Sequence, residues 1–404
     1  MESEVFLNSY VIAIINKVVN LFKSMFDHPP EILVASPGRI NLIGEHTDYN
    51  EGYVLPSAVD RYIIFAMSKR NGSISKLFSI DYNESEEVDF KNISKSHKNW
   101  ANYLIGVIDQ MNKMNIHPGA VSCAFSGNIP IASGLSSSAA LECGFAFGLN
   151  ELFELSLDLK TLAKLCQQSE NSFVGVKCGI MDQFANLFSK KNYVMKLDTR
   201  SLEYEYYPIK LDEYKIVLID TKIKRHLYSS EYNIRREQCE LAVKIIQKYE
   251  NIRALRDVTE EMLENYKNEL LKNDPFGNSI IYKRAKFVIQ ENKRVLMACE
   301  FLNNNNLHAL GELMFESHFG LRDLYEVSRP ELDLLVDIAY KHPAVLGARV
   351  MGAGFGGCTI NLVYEEGIND FLTEAKKEYC KIINKEFDAY IVDTTSGTSA
   401  IEKF

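Results

Sequence analysis

An α+β fold in two domains is what this sequence predicts, and three observations carry that reading. The chain has 404 residues, more than one hydrophobic core usually serves. Strand-like and helical segments follow one another without the regular βαβ beat of a doubly wound sheet. Two glycine-rich loops, 127–138 and 352–357, stand far apart, the first running into a helix and the second into a strand.

The elements follow in order. Residues 4–26 read as an amphipathic helix, stopped by Pro29-Pro30. Ile32 to Ala35 reads as a short strand, and Pro37-Gly38 is expected to turn the chain into a polar loop. Tyr62 to Met67 is a second apolar stretch, and Trp100 to Met111 has helical periodicity. Val121 to Phe125 reads as a strand entering the first glycine loop, with a helix of small and apolar residues beginning near Ala139. Strand signals recur at Tyr193 to Leu197, Leu202 to Tyr207 and Ile216 to Ile219. Residues 231–316 are mostly helical and charge-rich, and Thr359 to Val363 and Ala389 to Val392 are strand-like. The division is expected near 205, giving domains 1–205 and 206–404. There is no internal repeat or low-complexity tract.

Bulk properties exclude some functions. At 46% hydrophobic and 25% charged, the composition is that of an ordinary folded protein. A net charge of −9 disfavours nucleic acid and anionic membranes as partners. No apolar run approaches the roughly 18 residues that span a bilayer, and no basic segment of secretory type opens the chain. The eight cysteines show neither C-x-x-C nor zinc spacing, so free thiols in a reducing cytoplasm are expected.

Three polar groupings carry chemistry. In Gly38-Arg39-Ile40-Asn41-Leu42-Ile43-Gly44-Glu45-His46-Thr47-Asp48-Tyr49, one cation precedes Glu45, His46 and Asp48. Carboxylates suit the hydroxyls of a hexose, and a permanent cation steadies phosphate charge or a deprotonated oxygen. The alternative is a solvated loop with a surface ion pair. In Ser133-Gly134-Leu135-Ser136-Ser137-Ser138, small residues run into a helix start. Backbone amides and the helix dipole there suit an anion, and serine hydroxyls suit phosphate or Mg²⁺. Neither the Walker pattern nor G-x-G-x-x-G is present, and an ordinary serine N-cap is the alternative.

The third grouping is a pair of carboxylates. Glu170 continues the apolar stripe of Leu159, Leu162, Ala163 and Cys166, so its burial needs a compensating cation unless the helix ends first. Asp182, in Gly179-Ile180-Met181-Asp182-Gln183, is either a proton acceptor for a hydroxyl or a helix N-cap.

Together these blocks resemble the GHMP small-molecule kinase family, in that family's order. Gly38 to Tyr49 is similar to the galactokinase signature, and Asn50 to Pro56 fits the same subgroup. Pro130 to Ala139 resembles the family's phosphate loop, and Met351 to Cys358 its third motif. The resemblance extends through 167–183, 229–240 and 323–333. It implies an N-terminal domain of ribosomal-protein-S5-like type and a C-terminal α+β, ferredoxin-like domain, with the active site between them. It implies an ATP-dependent sugar kinase that phosphorylates the C1 hydroxyl of galactose in galactose catabolism. By the same resemblance, Asp182 and Arg39 are catalytic, while Glu45, His46, Thr47, Asp48, Gly179 and Tyr232 bind sugar. Ser79, Trp100, Tyr103, Ala132, Ser133, Gly134, Leu135, Ser136, Ser137 and Ser138 bind ATP, and Ser138 and Glu170 hold Mg²⁺. A cytoplasmic monomer or weak homo-oligomer is expected. A kinase of N-acetylgalactosamine or of another sugar at C1, and a non-catalytic galactose sensor, are the competing readings; the intact phosphate loop argues against the sensor.

Overall fold

The computed structural model describes residues 9–130, 133–223 and 228–401, with the backbone alone at 228–230. The first helix, Ser9–Phe26, buries Val11, Ile14, Ile15, Val18 and Phe22 on one face. Such a side chain contributes about 1.5–3 kcal/mol when buried. Asp27 leaves the helix in the left-handed region at φ 62°, and Pro29-Pro30 then forbids its resumption. The residues expected to begin this helix, 4–8, lie outside the described residues.

The first sheet has seven strands. Ser399–Ala400, Ile32–Asn41, Pro56–Lys69, Val121–Gly127, Ile74–Ser79 and Glu84–Asp89 lie side by side, and Thr394–Thr395 also pairs with Pro56–Lys69. Only the pairing of Ile74–Ser79 with Val121–Gly127 is parallel. Its central strands are buried at nearly every position because each face has its own cover. Leu33, Ala35, Tyr62, Ile64 and Ala124 meet the first helix. Their neighbours Val34, Ile63, Phe65 and Cys123 face the other way, into a core shared with the helices Asn99–Lys113 and Ser137–Leu152.

One local expectation is corrected. Pro37-Gly38 does not turn the chain; the strand runs from Ile32 to Asn41, with a register shift between those two residues. The bulge accommodates a proline, which has no N–H for the ladder. It also brings the backbone against the first glycine loop. A Cβ on Gly38 would stand 2.9 Å from the Leu135 carbonyl oxygen, the atom that accepts the Arg39 amide at 3.0 Å.

The second sheet orders Val345–Val350, Cys358–Tyr364, Tyr214–Asp220 and Asp388–Val392, all antiparallel. Val217 and Ile219 face a core shared with helices Pro330–Lys341 and Ile368–Ile383. Ile216 and Leu218 face the large core that also holds the first sheet's residues. A third sheet pairs Tyr53–Val54, Tyr193–Asp198 and Tyr204–Pro208. Helices Tyr228–Ile246, Ile280–Asn303 and Leu307–Asp323 fill the charge-rich stretch. The mixture is α+β. All eight cysteines are free. Among the described residues, no helix is long and apolar enough to cross a membrane.

Candidate active site

The elements converge on one cleft of about 520 Å³. Arg39 sits on the strand just past the bulge, where its Nε donates to Asp182 Oδ1 at 2.8 Å and its Nη1 to the Gly134 carbonyl. Ser136 Oγ donates to the other oxygen, Asp182 Oδ2, at 2.5 Å. Three segments remote in sequence thus meet on one carboxylate. Asp182 is not a cap: it is the second residue of the helix Met181–Phe188, whose N-cap is Ile180.

Nor is the first glycine loop an ordinary serine cap. Ser136 holds the N-cap position of Ser137–Leu152 in the left-handed region at φ 57°, and its side chain makes no cap bond. The hydroxyl serves Asp182 instead, and the start of the helix lies in the cleft wall with Gly134, Leu135, Ser136, Ser137 and Ser138. That arrangement suits an anion. Ser133 is buried behind the lining, with Oγ on the Pro130 carbonyl at 2.8 Å. Its own carbonyl accepts the Cys358 amide at 3.0 Å, joining the two glycine loops. Ala132 lies outside the described residues.

The signature segment lines the opposite wall. Glu45 is buried, its Oε1 accepting from Arg349 Nη2 at 2.9 Å and the Gly352 amide at 2.7 Å. Burial alone would raise its carboxyl, but Arg349, Arg39 and that amide together hold it below the usual range. Asp48 is pushed the other way, to about 7, by burial and then by the charge of Asp182. Gly179 is required beside it, since a Cβ there would fall 2.0 Å from Asp48 Oδ2. His46 and Tyr232 also line the cleft, their rings 5.5 Å apart. Thr47 does not: its hydroxyl lies 2.9 and 2.6 Å from the carbonyls of Gly44 and Tyr53.

At the far end, Ser79, Trp100 and Tyr103 line the cleft. Trp100 is also core, packed edge-on to Phe125 at 5.5 Å and donating its Nε1–H to Glu84 at 2.7 Å. Asp81, Tyr82 and Asn99 stand with them and carried no signal in sequence.

Glu170 is buried although its α-helix does end first, at Gln168. The chain widens into a π-helical turn over Ser169–Val174, which keeps the carboxylate facing inward. Burial, then the charge of Asp182, pushes it up to about 7, against the pull of the Ser138, Cys178 and Gln183 side chains. With Asp48 and Asp182, it makes the cleft floor rich in carboxylate. Among the described residues, no group of three or more acidic, His or Cys side chains is placed to hold a metal ion. One carboxylate and one hydroxyl nonetheless fit Mg²⁺, which draws its remaining ligands from phosphates and water.

Glu142, one turn beyond Ser138, is fully buried. Burial, then the charge of Glu170, raises its carboxyl well above the usual range. A neutral acid in the fold stabilises it fully below the unfolded value near 4.5, and that contribution is lost as pH rises toward the folded value. Glu142→Gln is therefore expected to gain stability relative to the parent from pH 5 to pH 9. Thermal melts across that range would show it; a difference independent of pH would mean that Glu142 is charged in the fold.

Comparison with known proteins decides the family. Residues 20–69 match the galactokinase galactose-binding signature, 102–190 the N-terminal domain of GHMP kinases and 298–381 their C-terminal domain. A galactokinase of Clostridium acetobutylicum is 42% identical over 393 residues, 96% of this chain and 99% of the relative. The chain belongs to the galactokinase family. A Thermotoga maritima galactokinase is 41% identical over 368 residues, 91% of this chain and 99% of its own. The structure of Lactococcus lactis galactokinase complexed with galactose superposes with a TM-score of 0.91 at 34% identity, over 96% of this chain and 100% of that one. A mevalonate kinase structure, 21% identical with a TM-score of 0.61, shares the fold across 91% of this chain and 100% of its own. As a GHMP kinase of this family, the chain is an ATP-dependent sugar kinase.

Sequence reasoning missed Arg349 and Glu291 in this galactokinase-family site. Glu291 is fully buried and accepts the Gly44 amide at 2.9 Å, Ser317 Oγ at 2.7 Å and Arg294 Nε at 2.7 Å. Arg349 had a readable signal, the one that flagged Glu170: a lone charge within the apolar strand Val345–Val350.

Proposed function

We propose that this protein transfers the γ-phosphoryl group of ATP to the C1 hydroxyl of α-D-galactose, giving galactose 1-phosphate and ADP. The observation that carries the reading is the meeting of Arg39, Ser136 and Asp182, which joins the sugar-type signature to the anion-binding loop at one carboxylate. Glu45, His46, Asp48, Gly179 and Tyr232 bind the sugar, with Thr47 holding their segment in shape. Ser79, Trp100 and Tyr103 receive the adenosine, and the 132–138 loop receives the phosphates. The cleft lies between the two domains, 1–205 and 206–404, with the strands Thr394–Thr395 and Ser399–Ala400 returning to the first sheet. The protein acts in the cytoplasm, as a monomer or weak homo-oligomer.

The C1 oxygen attacks the γ-phosphorus as the bond to the β–γ bridging oxygen breaks, and ADP leaves with that electron pair. Asp182 takes the hydroxyl proton. Arg39 holds Asp182 in place and offsets negative charge as it shifts toward the leaving oxygen. Ser138 and Glu170 would hold Mg²⁺, whose charge, when bound, neutralises the β- and γ-phosphates. Positioning and charge stabilisation carry most of the acceleration.

ADP release across a panel of hexoses and hexosamines tests the assignment. Galactose should give the highest kcat/KM, with N-acetylgalactosamine poorer by about tenfold or more because the site must admit the acetamide. A higher value for the acetylated sugar would replace the substrate; no ADP release with any sugar would favour a sensor.

Glu170→Ala should abolish turnover and leave galactose affinity, measured by calorimetry, near that of the parent. Near-normal turnover would remove Glu170 from the phosphate-transfer machinery.

A further inference from the structure

Behind the sugar wall, three buried groups and the half-buried Tyr49 form a chain whose proton order is forced. His46 Nε2 lies 3.2 Å from the Ala353 carbonyl oxygen, and its Nδ1 lies 2.7 Å from Tyr49 Oη. Tyr49 Oη lies 2.7 Å from Tyr325 Oη, which lies 3.1 Å from Cys239 Sγ. A carbonyl only accepts, so Nε2 carries a proton. The ring is buried in the cleft wall, with the cations Arg235 and Arg349 nearby, so it stays neutral and Nδ1 is an acceptor. Tyr49 spends its one proton on Nδ1, so Tyr325 must donate to Tyr49. Tyr325 then has none left for the thiol, and Cys239 must donate to Tyr325.

The chain crosses the molecule. His46 and Tyr49 belong to the signature segment, Cys239 to the helix Tyr228–Ile246, Tyr325 to the segment after Leu307–Asp323, and Ala353 to the second glycine loop. His46 also needs holding. Its backbone is left-handed at φ 61°, a region unfavourable to a residue with a side chain. The Asn50 side-chain amide secures its carbonyl at 2.9 Å, while the rings of Tyr325 and Tyr232 pack at 4.8 and 5.5 Å.

We infer that Tyr49 and Tyr325, with Cys239 behind them, are positioning residues for sugar recognition: the directed chain holds His46 as its Nε2–H tautomer, so that the cleft presents a fixed donor beside Ala353. A sugar oxygen meeting that nitrogen must accept, sharing the proton with the Ala353 carbonyl. The inference rests on the sugar-binding role proposed above for His46, whereas the tautomer itself does not.

The test uses the full-length protein, with nitrogen-15 spectra of the histidine side chains and His46 assigned by the loss of its signals in His46→Gln. Without sugar, Nδ1 should resonate as an unprotonated nitrogen and Nε2 as a protonated one. Tyr49→Phe should shift or mix that pattern. Tyr49→Phe and Tyr325→Phe should each raise the KM for galactose by about two- to tenfold, the effect of one lost hydrogen bond, with kcat within about twofold. The double variant should lose less than the product of the two, because Tyr325 has nothing to orient once the Tyr49 hydroxyl is gone. An Nδ1–H tautomer in the parent, an unmoved pattern in Tyr49→Phe, or fully multiplicative losses would overturn the inference. Galactose that binds without moving the His46 signals would instead remove the sugar-site role, while the tautomer pattern stood.

Discussion

Asp182→Asn is expected to lower kcat by about 10² or more while galactose still binds. The amide can keep the geometry. Its oxygen would face the Arg39 Nε–H, now 2.8 Å from Oδ1, and its NH₂ would face Ser136 Oγ, now 2.5 Å from Oδ2. A hydroxyl can turn to accept, so no buried group is left bare. What is lost is a site for the proton. As an acidic residue in the first turn of Met181–Phe188, Asp182 also meets the helix dipole. That effect is worth about 0.3–1 kcal/mol of stability and touches kcat not at all. Arg39→Lys should likewise lower kcat more than it raises KM, because an ammonium cannot reach Asp182 and Gly134 with one rigid fork. Acting on one transition state, the two substitutions together should cost less than the product of their separate losses. Steady-state ADP release and galactose calorimetry on the three variants decide. A kcat for Asp182→Asn within about twofold of the parent would end the catalytic assignment.

Arg349→Met should destabilise the protein by about 3–5 kcal/mol, the usual cost of breaking a buried ion pair from one side. Both partners are withdrawn from water, Arg349 at 0% and Glu45 at 2% exposure. The guanidinium also donates to the carbonyls of Leu42 at 2.7 Å, Val350 at 2.8 Å and Asn41 at 2.5 Å. A methionine fills the volume, donates to none of these carbonyls and leaves Glu45 Oε1 with the Gly352 amide alone. Glu45 would then lose the nearest charge holding its carboxyl down, and burial would drive it upward. Galactose affinity in the variant should accordingly weaken as pH rises through the new value, since an ionised carboxylate without its guanidinium is costly to bury beneath the sugar. Adding Glu45→Gln should restore part of the stability, because the stranded charge is gone. Thermal and denaturant unfolding of the single and double variants measure both terms. An Arg349→Met protein within about 1 kcal/mol of the parent would mean that the pair behaves as an exposed one.

Much of the site was legible because its chemistry is concentrated in short windows. Residues 38–49, 133–138 and 179–183 each hold polar groups beside a glycine, and the fold places most of them on one cleft. Glu170 was legible for another reason: a carboxylate on an apolar helical stripe needs a partner wherever the helix packs. Its route inward was not, because a π-helical turn in place of a helix end is decided by what packs against it. The bulge at Pro37-Gly38 was misread as a turn for a related reason. Proline followed by glycine is compatible with both, and only pairing with Pro56–Lys69 and the nearby Leu135 carbonyl selects the bulge.

By itself, then, the sequence determined the α+β class, the two glycine loops, the carboxylates and cation of the cleft, and the likeness to a family of sugar kinases. These depend on local composition and period, which a window of a dozen residues contains. The tertiary structure alone decided which groups answer which. Arg349 reaches Glu45 across 304 positions, Glu291 holds Gly44 across 247, and Tyr325 meets Tyr49 across 276. A buried charge or hydroxyl must be satisfied, but satisfaction is a matter of three-dimensional direction and distance, and no spacing along the chain records it.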